Sequence, residues 1–158
     1  MRFLTLFLCC AASLAAATEL TVVRIWPSYR TAASFERISE FFSGQENAGG
    51  QIILRSQPEQ RAGFYFLTRL KNPGAALTGA RVELSLITPA SPEPKRFTGF
   101  APTAVPAGTS VFQIGLTGED WPDPGARPVA WQLRLLSADG AELLREKSFL
   151  WGKETASN

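Results

Sequence analysis

The sequence predicts an all-β, antiparallel β-sandwich of seven or eight strands with one short helix, behind an N-terminal leader. Three observations carry that expectation. Short runs rich in β-branched and aromatic residues alternate apolar with polar. The 11 prolines and 13 glycines supply breaks between those runs. Only one stretch has helical rather than two-residue periodicity, and no unit repeats.

The leader comes first. Arg2 precedes an apolar run from Phe3 that ends in Ala15-Ala16-Ala17, small residues of the kind a signal peptidase reads, so residues 1–17 are expected to be cleaved before Thr18. About 15 apolar residues fall short of the roughly 20 that a spanning helix needs, which argues against a membrane span in the mature form. Both cysteines, Cys9 and Cys10, lie in this segment. A lipoprotein signal wants a small residue just before its cysteine, and Cys9 follows the bulky Leu8. The expected location is therefore periplasmic or extracellular. The mature domain, residues 18–152, would contain no cysteine and must rest on a hydrophobic core, although its compartment permits disulfides. A chain of about 140 residues can bury roughly 65–70% of its unfolded surface, enough for one domain. Residues 153–158 read as a flexible tail.

The segment from Glu19 to Trp26 is a strand that Pro27 is expected to stop. From Thr31 to Gly44, a 100° step brings Phe35, Ile38 and Phe42 onto one arc, with Glu36, Arg37 and Glu40 on another. This predicts an amphipathic helix near 34–43, capped by Thr31 or Ser34, stopped at Gly44 and packed as a connector. Strands follow at Gln51–Arg55, Gly63–Lys71, around Val82–Leu86, at Arg96–Phe100 as a short edge, and at Ser110–Leu116. In the second of these, Phe64, Phe66, Thr68 and Leu70 face one way; Tyr65, Leu67 and Arg69 face the other. All the prolines fall outside the expected strands. Near the C-terminus, Val129–Leu135 and Leu143–Trp151 flank Ala138-Asp139-Gly140, a strong hairpin signal.

That closing hairpin, residues 129–151, resembles the last two strands of bacterial immunoglobulin-like or fibronectin type III-like domains. The resemblance implies a sandwich of that kind, without the cysteine pair of antibody domains. A C2-like or jelly-roll sandwich, or a small barrel, is also compatible with the strand list.

Composition narrows the chemistry. The sequence has no histidine, 16 basic and 14 acidic residues, with no basic block longer than Lys95-Arg96. Nucleic-acid binding needs a concentrated positive stripe, which is missing here. With neither His nor a mature Cys, the usual zinc, haem-His and iron–sulfur ligand sets and the Ser-His-Asp or Cys-His mechanisms have no residues to use. No phosphate-binding glycine loop occurs. No cofactor, metal or catalytic residue is therefore assigned, and the chain reads as a non-enzyme.

Two clusters remain as binding candidates. The loop Gly118–Pro128 holds Trp121 among Glu119, Asp120 and Asp123. The indole either plugs one end of the core or stands out as a platform. The plug is preferred, half-buried and with its N–H reaching a backbone carbonyl, because an exposed indole needs a partner. The three acids could contribute oxygens to calcium, but a solvated turn explains them as well. Arg55 and Arg61 flank a second turn, where they either clamp a partner's carboxylate or pair with Glu59 or Glu36. The expected function is a non-catalytic exported module that binds or scaffolds another protein. The alternative is a carbohydrate-binding module using exposed aromatics, and a carboxylate-based hydrolase ranks behind both.

Overall fold

The computed structural model describes residues 19–152. The leader, Cys9 and Cys10 and the tail from 153 lie outside the described residues. Ten strands run in chain order: β1 (Thr21–Arg30), β2 (Ile52–Arg55), β3 (Gly63–Asn72), β4 (Leu77–Thr78), β5 (Arg81–Thr88), β6 (Ser91–Phe100), β7 (Ala104–Val105), β8 (Gly108–Thr117), β9 (Ala130–Leu136) and β10 (Glu142–Lys147). One sheet has the order β1-β3-β8-β2, the other β10-β9-β5-β6, and β4 pairs with β7 in a small third ladder. All ladders are antiparallel except that of β2 with β8.

Without the short β2, β4 and β7, the seven long strands distribute first, second and fifth in one sheet, and seventh, sixth, third and fourth in the other. That is the A-B-E against G-F-C-C′ arrangement, so the domain is an immunoglobulin-like β-sandwich. The core forms where the inner faces meet. Phe64, Phe66, Ile114 and Leu116 of the first sheet pack with Val82, Leu84, Leu86, Leu133 and Leu135 of the second. The expected alternation of β3 holds, with Phe64, Phe66, Thr68 and Leu70 all buried. The hairpin through Asp139-Gly140 joins β9 to β10, closed by the Ser137 N–H donating to the Ala141 carbonyl at 2.8 Å.

Two expectations fail. Pro27 does not stop β1, and Pro92 and Pro94 lie inside β6, so three prolines sit within strands. Both are edge strands. An edge strand needs only one row of ladder bonds, so a missing N–H is tolerated there and hinders pairing with other chains.

The single connector helix is also broken. A 3-10 turn, Ala32–Phe35, is separated by extended Glu36 and Arg37 from a six-residue helix α1 (Ile38–Ser43). Neither Thr31 nor Ser34 caps a helix through its side chain. Thr31 makes no side-chain cap bond, and Ser34 Oγ donates back to the Thr31 carbonyl at 2.7 Å. Gly44 does end α1, in the left-handed region at φ 66°. The two extended residues swing α1 away from the sheet, so only Phe35 of the expected apolar arc is buried. Among the described residues, no helix is long and apolar enough to cross a membrane.

Candidate functional site

Phe35 explains where its segment goes. Tyr65 points to the outer face of the first sheet yet is fully buried, because the ring of Phe35 lies on it at 4.8 Å. The Tyr65 ring in turn covers Gly115, where a Cβ would fall 2.3 Å from its Cε1. The guanidinium groups of Arg30 and Arg55 lie 4.6 Å and 5.0 Å from the Phe35 ring centre. A desolvated cation over an aromatic face is favourable and leaves the charge free to make hydrogen bonds in its plane.

Arg55 uses that freedom within the chain. Its Nη1 and Nη2 donate to Glu46 at 2.7 Å and 2.5 Å, and its Nε donates to the Tyr65 hydroxyl at 2.9 Å. The hydroxyl donates onward to the Arg61 carbonyl at 2.7 Å. Arg61 pairs with Glu40 of α1 at 2.8 Å. The bidentate Arg55 holds the Glu46 carboxyl below the usual range, and the hydrogen bond from Arg61 does the same for Glu40. Glu46 raises the Arg55 value, while burial raises that of Tyr65. Both arginines are thus engaged by the chain's own acids, Glu46 and Glu40 rather than Glu59 or Glu36. The Arg55 side chain is only 8% exposed and offers little to a partner.

What this network positions is α1. The Asn47 N–H donates to Glu40 and its side-chain amide to Ser39, so the turn beyond the helix is tied back onto it. Ile38, Phe41 and Phe42, spaced i, i+3, i+4 on one helical face, are 84%, 90% and 83% exposed. Sequence periodicity had placed Ile38 and Phe42 on the packed face of a connector helix; nothing local to the sequence signals the two extended residues that turn them outward.

The second cluster lies at the same end of the sandwich, since Gly63 is paired with Thr117 and the loop 118–128 follows directly. Gly118–Asp120 forms a 3-10 turn. Trp121 then folds inward, 6% exposed, with its ring 4.8 Å from that of Phe64. The indole is therefore a core plug and not an exposed platform. Its burial is deeper than expected, and the N–H does not reach a backbone carbonyl: Nε1 is sealed from solvent and finds no acceptor among the described residues. The ring is held by its apolar contacts, which outweigh one unmade hydrogen bond.

The acids around Trp121 do not converge. Asp120 faces Lys95 at 3.6 Å, Asp123 accepts from the Gly125 N–H at 2.7 Å, and Glu119 is exposed. Among the described residues, no group of three or more acid, Cys or His side chains could hold a metal ion.

Between this loop and the β5–β6 hairpin opens a cleft of about 720 Å³. Leu86, Pro89, Ala90, Pro94, Phe97, Trp121, Pro122 and Ala126 make its apolar surface, and Thr88, Ser91, Glu93, Lys95, Asp120 and Asp123 complete the lining. Its size is that of ordinary ligand sites, on the order of 300–1,000 Å³. Three carboxylates against one ammonium leave it net acidic. Trp121, Asp120 and Asp123 are thus brought together, while Arg55 and Arg61 belong to the α1 anchor. The tip of the hairpin wall, residues 89–94, was not expected from the sequence, because Pro89, Pro92 and Pro94 lie outside the strands expected at Val82–Leu86 and Arg96–Phe100.

No protein-family model matches the chain, and no characterised protein matches its sequence. Among solved structures, the chain is similar to an immunoglobulin-like protein from Pseudomonas aeruginosa, at 18% identity over 84% of this chain and 96% of that one, with a TM-score of 0.33. The fold assignment rests on the strand order, to which a likeness of that strength adds nothing.

Proposed function

We propose that this protein is a non-catalytic, exported module that binds another protein by taking an apolar segment, flanked by a basic residue, into the cleft at the end of the sandwich. The observation that carries this reading is the cleft itself: about 720 Å³ in volume, with largely apolar walls and Glu93, Asp120 and Asp123 against Lys95. Apolar walls supply affinity through burial, and the acidic lining selects a cationic flank and repels an anionic one. Pro89, Pro94 and Pro122 stiffen the walls, so less entropy is lost when a segment is gripped. The carbohydrate alternative needs exposed aromatic rings to stack on sugars, and Trp121, 6% exposed, does not offer one.

The test is site-specific photo-crosslinking in cells that export the protein. A photoreactive residue at Ala90, on the cleft wall, is compared with one at Thr109, exposed at the start of β8 and thus at the opposite end. Discrete protein adducts from position 90 alone are expected. Equal yields from both positions, or no protein adduct from 90, would overturn the proposal. Glycan adducts from 90 would favour the carbohydrate alternative.

A further inference from the structure

We infer that this chain carries a segment fitting its own cleft, and that two copies associate by seating the α1 face of one in the cleft of the other. The inference rests on the cleft reading above and names an occupant for it.

An occupant of the cleft needs large apolar side chains on a short, ordered element, with positive charge beside them. Ile38, Phe41 and Phe42 form one such face, and all three are more than four-fifths exposed. Solvent-facing i, i+3, i+4 anchors on a helix are a recurrent way of filling an apolar groove. The flank is basic: the segment leading into α1 has Arg30 and Arg37 against Glu36 alone, and among the described residues neither arginine has an acid partner. Across the cleft the balance is reversed, with Glu93, Asp120 and Asp123 against Lys95.

The ion pairs behind α1 make this a prepared surface. Glu40 is held by Arg61 and by the Asn47 N–H, and Glu46 is held by Arg55, so the face is presented without further ordering. A pre-ordered anchor loses less entropy on docking. Both features lie at the same end of the sandwich, because Arg61 immediately precedes the Gly63–Thr117 pair and the cleft loop follows it. That placement allows an end-to-end pair in which each copy gives its α1 and receives its partner's.

The experiment uses the purified mature protein in sedimentation velocity over a concentration series. Phe41→Ser with Phe42→Ser disables the α1 face without touching the core, since both side chains are exposed. Ala90→Arg obstructs the cleft at an exposed hairpin position. Concentration-dependent association is expected for the wild type and should weaken at least tenfold in each variant alone. It should return in part, weaker than the wild type's, in an equimolar mixture of the two, because that mixture restores one of the two seats by pairing an intact α1 face with an intact cleft. Arg37→Glu should weaken association as well, and less so at high salt.

A wild type that stays monomeric throughout would overturn the inference. So would association that survives in either variant, or a mixture that remains monomeric. Circular dichroism melts of each variant confirm that folding is retained. Crosslinks from position 90 to a different protein, with a monomeric purified chain, would remove self-association and leave the cleft's protein-binding role standing.

Discussion

Removing the Trp121 ring should separate two opposing contributions at the sandwich end. The side chain is 6% exposed and lies against Phe64 with ring centres 4.8 Å apart. Truncating a buried Trp to Ala costs about 3–5 kcal/mol through lost transfer energy and the cavity left behind. Its Nε1–H, however, is buried without an acceptor. Such a group carries a desolvation cost of about 1–3 kcal/mol that disappears with the ring. Trp121→Ala should therefore lose about 2 kcal/mol net, less than the ring's burial alone would suggest. For a domain of this length that corresponds to a fall in Tm of about 6–10 °C.

Trp121→Phe isolates the orphan donor. It keeps most of the contact with Phe64 while deleting the N–H, so its stability should stay within about 1 kcal/mol of the wild type. Urea denaturation followed by far-UV circular dichroism measures both variants without relying on tryptophan emission. If Trp121→Phe proved as damaging as Trp121→Ala, the N–H would have to be satisfied in solution. A Trp121→Ala variant no less stable than Trp121→Phe, with both close to the wild type, would show that the loop does not plug the core at all.

Three other perturbations have definite outcomes. Gly115→Ala would put a methyl 2.3 Å from the Tyr65 ring, which Arg55 and the Arg61 carbonyl fix by its hydroxyl; overpacking should cost about 1–3 kcal/mol in a chemical melt, and an unchanged midpoint would contradict that packing. Glu40 and Glu46 have native values lowered by Arg61 and Arg55, so their stabilisation is complete above the unfolded value of about 4.3 and is lost as pH falls below it through the native ones. Hydrogen exchange corrected for intrinsic rates should then show residues 38–50 loosening before the sheets, and uniform protection across that range would count against the ion-pair anchor. Intact mass of the exported form should place its N-terminus within two residues of Thr18; retention of Cys9 with an acyl mass would mean a lipid-anchored protein instead.

The strands were legible because their signal is local. Phe64, Phe66, Thr68 and Leu70 face inward because successive side chains alternate on any strand, whatever lies opposite. The Asp139-Gly140 turn announced its hairpin for the same reason: the sequence states the preferred backbone directly. The strands expected at Gln51–Arg55 and Ser110–Leu116 form, but nothing in either run says that they pair in parallel. The prolines misled where their meaning depends on position in a sheet. Pro27, Pro92 and Pro94 look like terminators until β1 and β6 are known to be edges.

The site divides along the same line. The absence of histidine, the position of both cysteines at 9 and 10 and the balanced charge are read from the sequence alone, and they argue against whole classes of chemistry before any fold is known. Tertiary structure alone decided what each candidate residue touches. Arg55 and Arg61 could be read as a clamp because their acids, Glu46 and Glu40, arrive from a segment whose path depends on Phe35 docking over Tyr65. Trp121 could be platform or plug until Phe64 was placed beneath it. The exposed face of α1 was the least predictable feature. Helical periodicity assigns an apolar arc but not the direction in which it faces, and two extended residues at 36 and 37 turned the expected packed face of a connector into surface. Periodicity is a property of neighbours in the chain, whereas burial is a property of what the rest of the chain brings alongside.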